Sequence, residues 1–251
     1  METFFLAILA SIFVSAISLF LVFIYNFKTS KIIKYAIAYC AGTLLATSFF
    51  YLIDEAINLE KNLILIWIYT IIGFIIMLVL EKFLHLHHIY SKENLDKKEN
   101  QKKLPVRIIS LLVGDLSHNF LDGIAIGVAF TIDINFGLAT TFTIILHEIP
   151  EEMAHIAILI HTTLNKKRAV LLNFLVSLSS IVGAGVGFYL SKQIDFLKIF
   201  FLSFSAGQFV YIATVDLIPY LQTIKIKKTI LIVSIFILGI TTIVLSRIFY
   251  R

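Results

Sequence analysis

Nine side chains able to ligate a cation, Asp115, His118, Asn119, Asp122, His147, Glu148, Glu151, Glu152 and His155, fall within two apolar stretches, GDLSHNFLDGIAIG (114–127) and LHEIPEEMAHIAIL (146–159). An ionisable group at the centre of a membrane helix resists insertion by roughly 2.5–3.5 kcal/mol. So many of them on two neighbouring helices imply an intramembrane metal or ion path. The blander reading is a buried polar network that only holds helices together. Such networks are usually smaller, and these side chains have ligand chemistry.

Helical spacing gathers them. Asp115, His118, Asn119 and Asp122 recur at i, i+3, i+4 and i+7, and His147, Glu151 and His155 at i, i+4 and i+8, so each set shares one helix face. A short connection makes the two helices antiparallel. Register then sets Asp122 opposite His147, His118 opposite Glu151, and Asp115 opposite His155 one level nearer the cytoplasm. Each layer faces a carboxylate with an imidazole, a ligand set for Zn²⁺ and other borderline divalent ions. No thiolate belongs to the set, which excludes a Cys-type structural zinc site. Pro150 withholds a backbone donor and frees the Leu146 carbonyl, and Gly123 and Gly127 let a partner helix approach closely.

The elements that position these residues are membrane spans. The chain of 251 residues is 59% hydrophobic, with a mean hydropathy of +0.94, far above soluble composition. Apolar runs near 3–25, 32–53, 63–84, 105–131, 136–162, 168–190, 197–220 and 229–249 predict eight transmembrane helices. The expected fold is an all-α membrane protein, an eight-transmembrane-helix bundle in a 3+2+3 arrangement, forming one transporter domain over 1–251. Its one long hydrophilic stretch, HLHHIYSKENLDKKENQKK, reads as a loop at about 85–104 ending at Pro105.

Charge orients the bundle. Of 21 basic residues, 16 fall after the first, third, fifth and seventh spans. The positive-inside rule makes these connections cytoplasmic and places both termini outside. The net charge of +5 is therefore topology and not a nucleic-acid footprint. METFFLAILASIF carries Glu2 and no positive n-region, so it reads as a first span and not as a signal peptide. A single cysteine, Cys40, excludes an intramolecular disulfide framework.

HNFLDGIAIG (118–127) resembles the fourth-helix HNFxDGxAIG motif of the ZIP zinc transporters, and Asp115 matches upstream of it. HEIPEEMAHIAIL (147–159) is similar to the fifth-helix pattern His-Glu-x-Pro-His-Glu-Leu-Gly-Asp-Phe-Ala-Ile-Leu of one ZIP subfamily. AGTLLATSFFYLIDEA (41–56) and SAGQFVYIATVDLIP (205–219) resemble the second and seventh helices. Glu151 stands where that subfamily has its second His, His155 replaces an Asp, and Ala154 replaces a Gly. The resemblance implies a primary metal site of His118, Asp122, His147 and Glu151, with Asn119, Glu148 and Glu152 bordering a second metal position. Asp115 and His155 are then candidates for an exit path. His85, His87 and His88 are candidate loop contacts for metal, though an interfacial position explains them equally well.

The implied function is import of divalent metal cations, Zn²⁺ first and with tolerance of Fe²⁺, Mn²⁺ or Cd²⁺, by one helix bundle sliding against another. No catalytic cofactor is expected. Partners are the metal ions, the lipid bilayer and, as one candidate assembly, a second copy in a homodimer; nucleic acid is not among them. The expected location is the cell membrane, plasma or inner. An intramembrane zinc protease is a rival, because His147-Glu148 begins like HExxH. That motif needs His at position 151, where this chain has Glu. A metal sensor without transport is the third reading. Asp54 and Glu55 read as a solvated helix end, and Asp216 as a family position or a structural polar contact.

Overall fold

The computed structural model describes residues 1–24, 30–92, 106–161, 166–222, 224 and 228–250. Its elements are α1 (Glu2–Ile24), α2 (Ser30–Thr47), α3 (Asp54–Leu59), α4 (Leu63–Lys92), α5 (Val106–Ile132), α6 (Ile134–His161), α7 (Lys166–Ser177), α8 (Ser179–Gln193), α9 (Asp195–Tyr211), α10 (Ile218–Gln222) and α11 (Thr229–Tyr250). No strand occurs among the described residues. A π-helical segment, Ser48–Ile53, joins α2 to α3, and a second, Ile212–Leu217, joins α9 to α10. The sixth rod turns at Leu178 between α7 and α8. The described helices thus form eight rods, close to the apolar runs of the sequence.

Among the described residues, five stretches are long and apolar enough to cross a membrane: Lys34–Leu59, Leu63–Lys82, Lys167–Gln193, Asp195–Gln222 and Thr229–Phe249. Glu2–Ile17 and Ile134–Ile149 are shorter apolar helices. The third rod runs further than its apolar stretch suggests. FLHLHHIY contains neither Gly nor Pro, so nothing in it ends a helix. The backbone stays helical to Lys92, and the hydrophilic connection starts beyond it instead of at about residue 85. The side chains of His85, His87, His88, Pro150 and His161 lie outside the described residues, as does the connection 93–105.

The protein is a multi-pass membrane protein, and its polarity is distributed accordingly. Ile64, Ile71, Ile75, Ile230, Leu238 and Phe249 are exposed, while Asp115, His118, Asn119, Asp122, His147, Glu148 and Glu152 are buried. A soluble protein reverses that pattern.

Glycines set the closest helix pairs, because each lets backbone meet backbone. A Cβ at Gly123 would strike the Ser180 carbonyl, and one at Gly183 would strike the Phe120 carbonyl, so α5 and α8 are locked reciprocally. Gly42 and Gly239 do the same for α2 and α11, and Gly73 and Gly207 for α4 and α9. Around these pairs, α1, α5, α6, α7 and α8 pack together, and α2, α4, α9 and α11 form a second group. The two groups meet chiefly where α2 lies along α6. Each π-helical segment packs on the rod that carries the other.

Candidate metal centre

α5 and α6 run antiparallel across a tight turn at Asp133, whose carboxylate accepts from the backbone N–H of Asn135 at 2.7 Å and caps α6. That turn fixes the register of everything below it. All three expected carboxylate–imidazole pairs are in contact: His147 Nε2 with Asp122 Oδ2 at 3.1 Å, His118 Nε2 with Glu151 Oε2 at 3.2 Å, and His155 Nδ1 with Asp115 Oδ1 at 3.1 Å.

The upper cluster is the tightest. One ligand atom from each of His118, Asp122, His147 and Glu148 lies within 4.8 Å of all the others, and all four residues are buried. Glu148 thus stands inside the group of four, while Glu151 reaches it through His118. The His118 Nε2 lies 3.2 Å from Glu151, 3.4 Å from Glu148 and 3.7 Å from Asp122, yet no contact has the alignment of a hydrogen bond. Three carboxylates converge on one imidazole nitrogen.

His147 is held at both ring nitrogens. Its Nδ1 lies 3.1 Å from the Thr143 carbonyl oxygen, one turn back on α6. A carbonyl only accepts, so Nδ1 carries a proton. The His147 Nε2 faces Asp122 Oδ2 at 3.1 Å. Two acceptors at this separation repel unless a proton or a cation lies between them.

Residues from other rods wall the cluster, and sequence spacing did not single them out. Phe209 of α9 packs on both imidazoles, with ring centroids 5.1 Å from His147 and 5.9 Å from His118. Cys40 of α2, fully buried, donates its thiol hydrogen to the His147 carbonyl at 3.4 Å. Both lie in or beside stretches that resemble family helices, which was the available signal. Asp216 lies exposed in the second π-helical segment, within electrostatic reach of Glu81 and Glu151.

The lower cluster joins residues that the resemblance had separated. Asp115, Glu152 and His155 offer ligand atoms within 4.8 Å of one another. Asn119 donates to Asp115 Oδ1 at 2.9 Å, so it belongs with this group, and Asn173 of α7 donates to Glu152.

Asp54 and Glu55 are more than a solvated helix end. The Arg247 guanidinium of α11 donates to Asp54 Oδ2 at 2.7 Å and to Glu55 Oε2 at 2.9 Å. It also lies over the rings of Tyr51 at 5.2 Å and Phe136 at 5.5 Å. This joins the ends of the second, fifth and eighth rods.

The model of the ZIP zinc transporter family matches residues 86–247, which include both clusters. The chain belongs to the ZIP zinc transporter family. Among similar ZIP proteins, human zinc transporter ZIP6 is 35% identical over 109 residues, 43% of this chain and 14% of that protein. Zinc transporter zipt-7.2 of Caenorhabditis elegans is 34% identical over 138 residues, 50% and 30% of the two chains. Mouse zinc transporter ZIP4 is 32% identical over 143 residues, 55% and 21%. The matched region therefore spans less than a third of these relatives' own lengths.

Proposed function

We propose that this chain carries divalent metal cations, Zn²⁺ first, across a membrane toward the cytoplasm, with the His118, Asp122, His147, Glu148 and Glu151 cluster as the station where the ion sheds its water. One observation carries the reading. His147, with Nδ1 turned to the Thr143 carbonyl, presents Nε2 to a carboxylate oxygen 3.1 Å away, an arrangement that a cation between them satisfies. Two imidazoles with carboxylates favour Zn²⁺ and its borderline neighbours, and the excess of anionic oxygen extends tolerance to Fe²⁺, Mn²⁺ and Cd²⁺. An N/O site without thiolate releases its ion more readily than a cysteine site, as transport requires.

The eight rods are proposed to be eight spans in a 3+2+3 arrangement with both termini outside, in the cell membrane. The basic asymmetry supports the orientation. The like placement of Gly42 with Gly207, Gly73 with Gly239, and the two π-helical segments supports the 3+2+3 arrangement. The names of the relatives, zinc transporters all, support the cargo. A protease is disfavoured, because the second imidazole comes from His118 on another helix and Glu148, which would be the base, sits among the ligands.

The test is metal-indicator fluorescence inside proteoliposomes carrying the purified chain, with Zn²⁺, Fe²⁺, Mn²⁺ or Cd²⁺ outside. Saturable Zn²⁺ entry above protein-free vesicles is the expected result. Tight binding without entry would leave the sensor reading standing and overturn this one.

A further inference from the structure

The two helix groups meet along α2 and α6, and two contacts fix the register there. Beside the metal centre the Cys40 thiol donates to the His147 carbonyl at 3.4 Å. Eleven residues further along each helix, at the end where Arg247 holds Asp54 and Glu55, the Tyr51 and Phe136 rings stack with centroids 6.4 Å apart. Between these contacts Thr47 lies seven residues from Cys40, and Thr140 seven residues from His147. Antiparallel register therefore sets the two threonines opposite one another. Both are 0% exposed, and neither Oγ1 has a hydrogen-bond partner. Their neighbours Thr43, Ser48, Thr141 and Thr143 each donate to a carbonyl of their own helix, the ordinary partner of a helical hydroxyl. Ser205 of α9, one turn outward of Phe209, adds a third hydroxyl that is buried and open.

We infer that Thr47, Thr140 and Ser205 line the route from the outer end to the upper cluster, where their hydroxyls stand in for water around a partly hydrated divalent cation on its way in. The inference rests on the transport reading of that cluster. Thr140 stands about 10.5 Å of helix rise from His147, so its hydroxyl serves an ion before the cluster does and is no ligand of the cluster. A hydroxyl both donates and accepts and carries no charge. It can accept from the ion's remaining waters or offer its oxygen to the metal, and it lets go more readily than a carboxylate. Open hydroxyls are costly in a permanent apolar seam and useful in one that parts to admit an ion. The Tyr51–Phe136 stack, with the Arg247 guanidinium over both rings, closes the seam above them.

The test separates the route from the ligands. A Thr47→Val/Thr140→Val variant nearly keeps side-chain shape and removes both hydroxyls. Its Tm in detergent should be no lower than wild type, because no hydrogen bond is lost. Its Zn²⁺-induced rise in Tm should match wild type, because no cluster ligand is touched. Its Zn²⁺ uptake into proteoliposomes should fall at least about tenfold, and Thr47→Ser/Thr140→Ser should recover most of the rate. Wild-type uptake, a lower Tm or a smaller Zn²⁺-induced rise in the Val variant would each overturn the inference. A second arm needs no flux. In a Cys40→Ser background in detergent, Thr140→Cys should react with a small cationic methanethiosulfonate, and Zn²⁺ should slow the reaction. A cysteine that is unreactive, or indifferent to Zn²⁺, would overturn the inference as well. If wild type moves no Zn²⁺ while Thr140→Cys reacts in this way, the route stands and the transport reading falls.

Discussion

Replacing Glu148 by Gln should make the metal-free protein more stable and the metal-loaded protein less so. The Glu148 and Asp122 carboxylates offer oxygens within 4.8 Å of each other, buried among two imidazoles. With both charged, an effective dielectric of about 20 gives a repulsion of roughly 3.5 kcal/mol at that separation. Glu148→Gln is nearly isosteric and removes one charge, so the chelated variant should recover part of that energy. At about 2–4 °C per kcal/mol for a chain of this size, the gain is several degrees in Tm. The same change removes an anionic ligand. Zn²⁺ should then bind at least about tenfold more weakly, a loss of about 1.4 kcal/mol, and the Zn²⁺-induced rise in Tm should shrink. The assay is thermal unfolding of both proteins in detergent, in chelator and across a Zn²⁺ titration. A variant that melts below wild type in chelator, or gains as much from Zn²⁺ as wild type, would refute the reasoning.

Three further outcomes follow from the geometry. Gly127→Val drives side-chain atoms into the α8 backbone at Ala184 and Phe188, costing about 1–3 kcal/mol by overpacking. Gly114→Ala, with nothing near its Cβ, should leave Tm no lower than wild type, and equal losses would sink the account of α5–α8 pairing. Glu151→His exchanges an anionic oxygen for a neutral nitrogen and should narrow the preference toward Zn²⁺; unlabelled metals competing against labelled Zn²⁺ uptake give the ranking, and an unchanged ranking means Glu151 is not the selectivity element. In a Cys40→Ser background, Ser91→Cys should resist impermeant thiol reagents in intact cells and react after permeabilisation, whereas labelling of intact cells would reverse the topology.

The three carboxylate–imidazole pairs were legible in the sequence for a physical reason. The helical period fixes which side chains share a face, and a short connection fixes antiparallel register, so Asp122, His118 and Asp115 find His147, Glu151 and His155. Register does not fix rotation about the helix axis. Nor does it say which of Glu148 and Glu151 closes the group of four, where the fold brings in Glu148. Contacts from rods distant in the chain were not legible either. Phe209, Cys40 and Asn173 reach the clusters from α9, α2 and α7, and no local period encodes those approaches. Gly123 and Gly127 announced a close helix partner, but only the fold identifies it as α8 through Gly183 and Gly187. Arg247 lies 193 residues from Asp54, so their pairing left no trace in local charge patterning. The helix through His85–His88 has the polar composition of a loop, and only the absence of a helix breaker marks it in the sequence.

The measurement that reaches the central claim most directly is initial-rate uptake of radiolabelled Zn²⁺ into proteoliposomes, for wild type beside Asp122→Ala and His147→Ala at matched reconstituted protein. The account predicts saturable uptake by wild type and a fall to the protein-free background in both variants, because each loses a ligand from the pair that faces across α5 and α6 at 3.1 Å. Wild-type rates in both variants would contradict it.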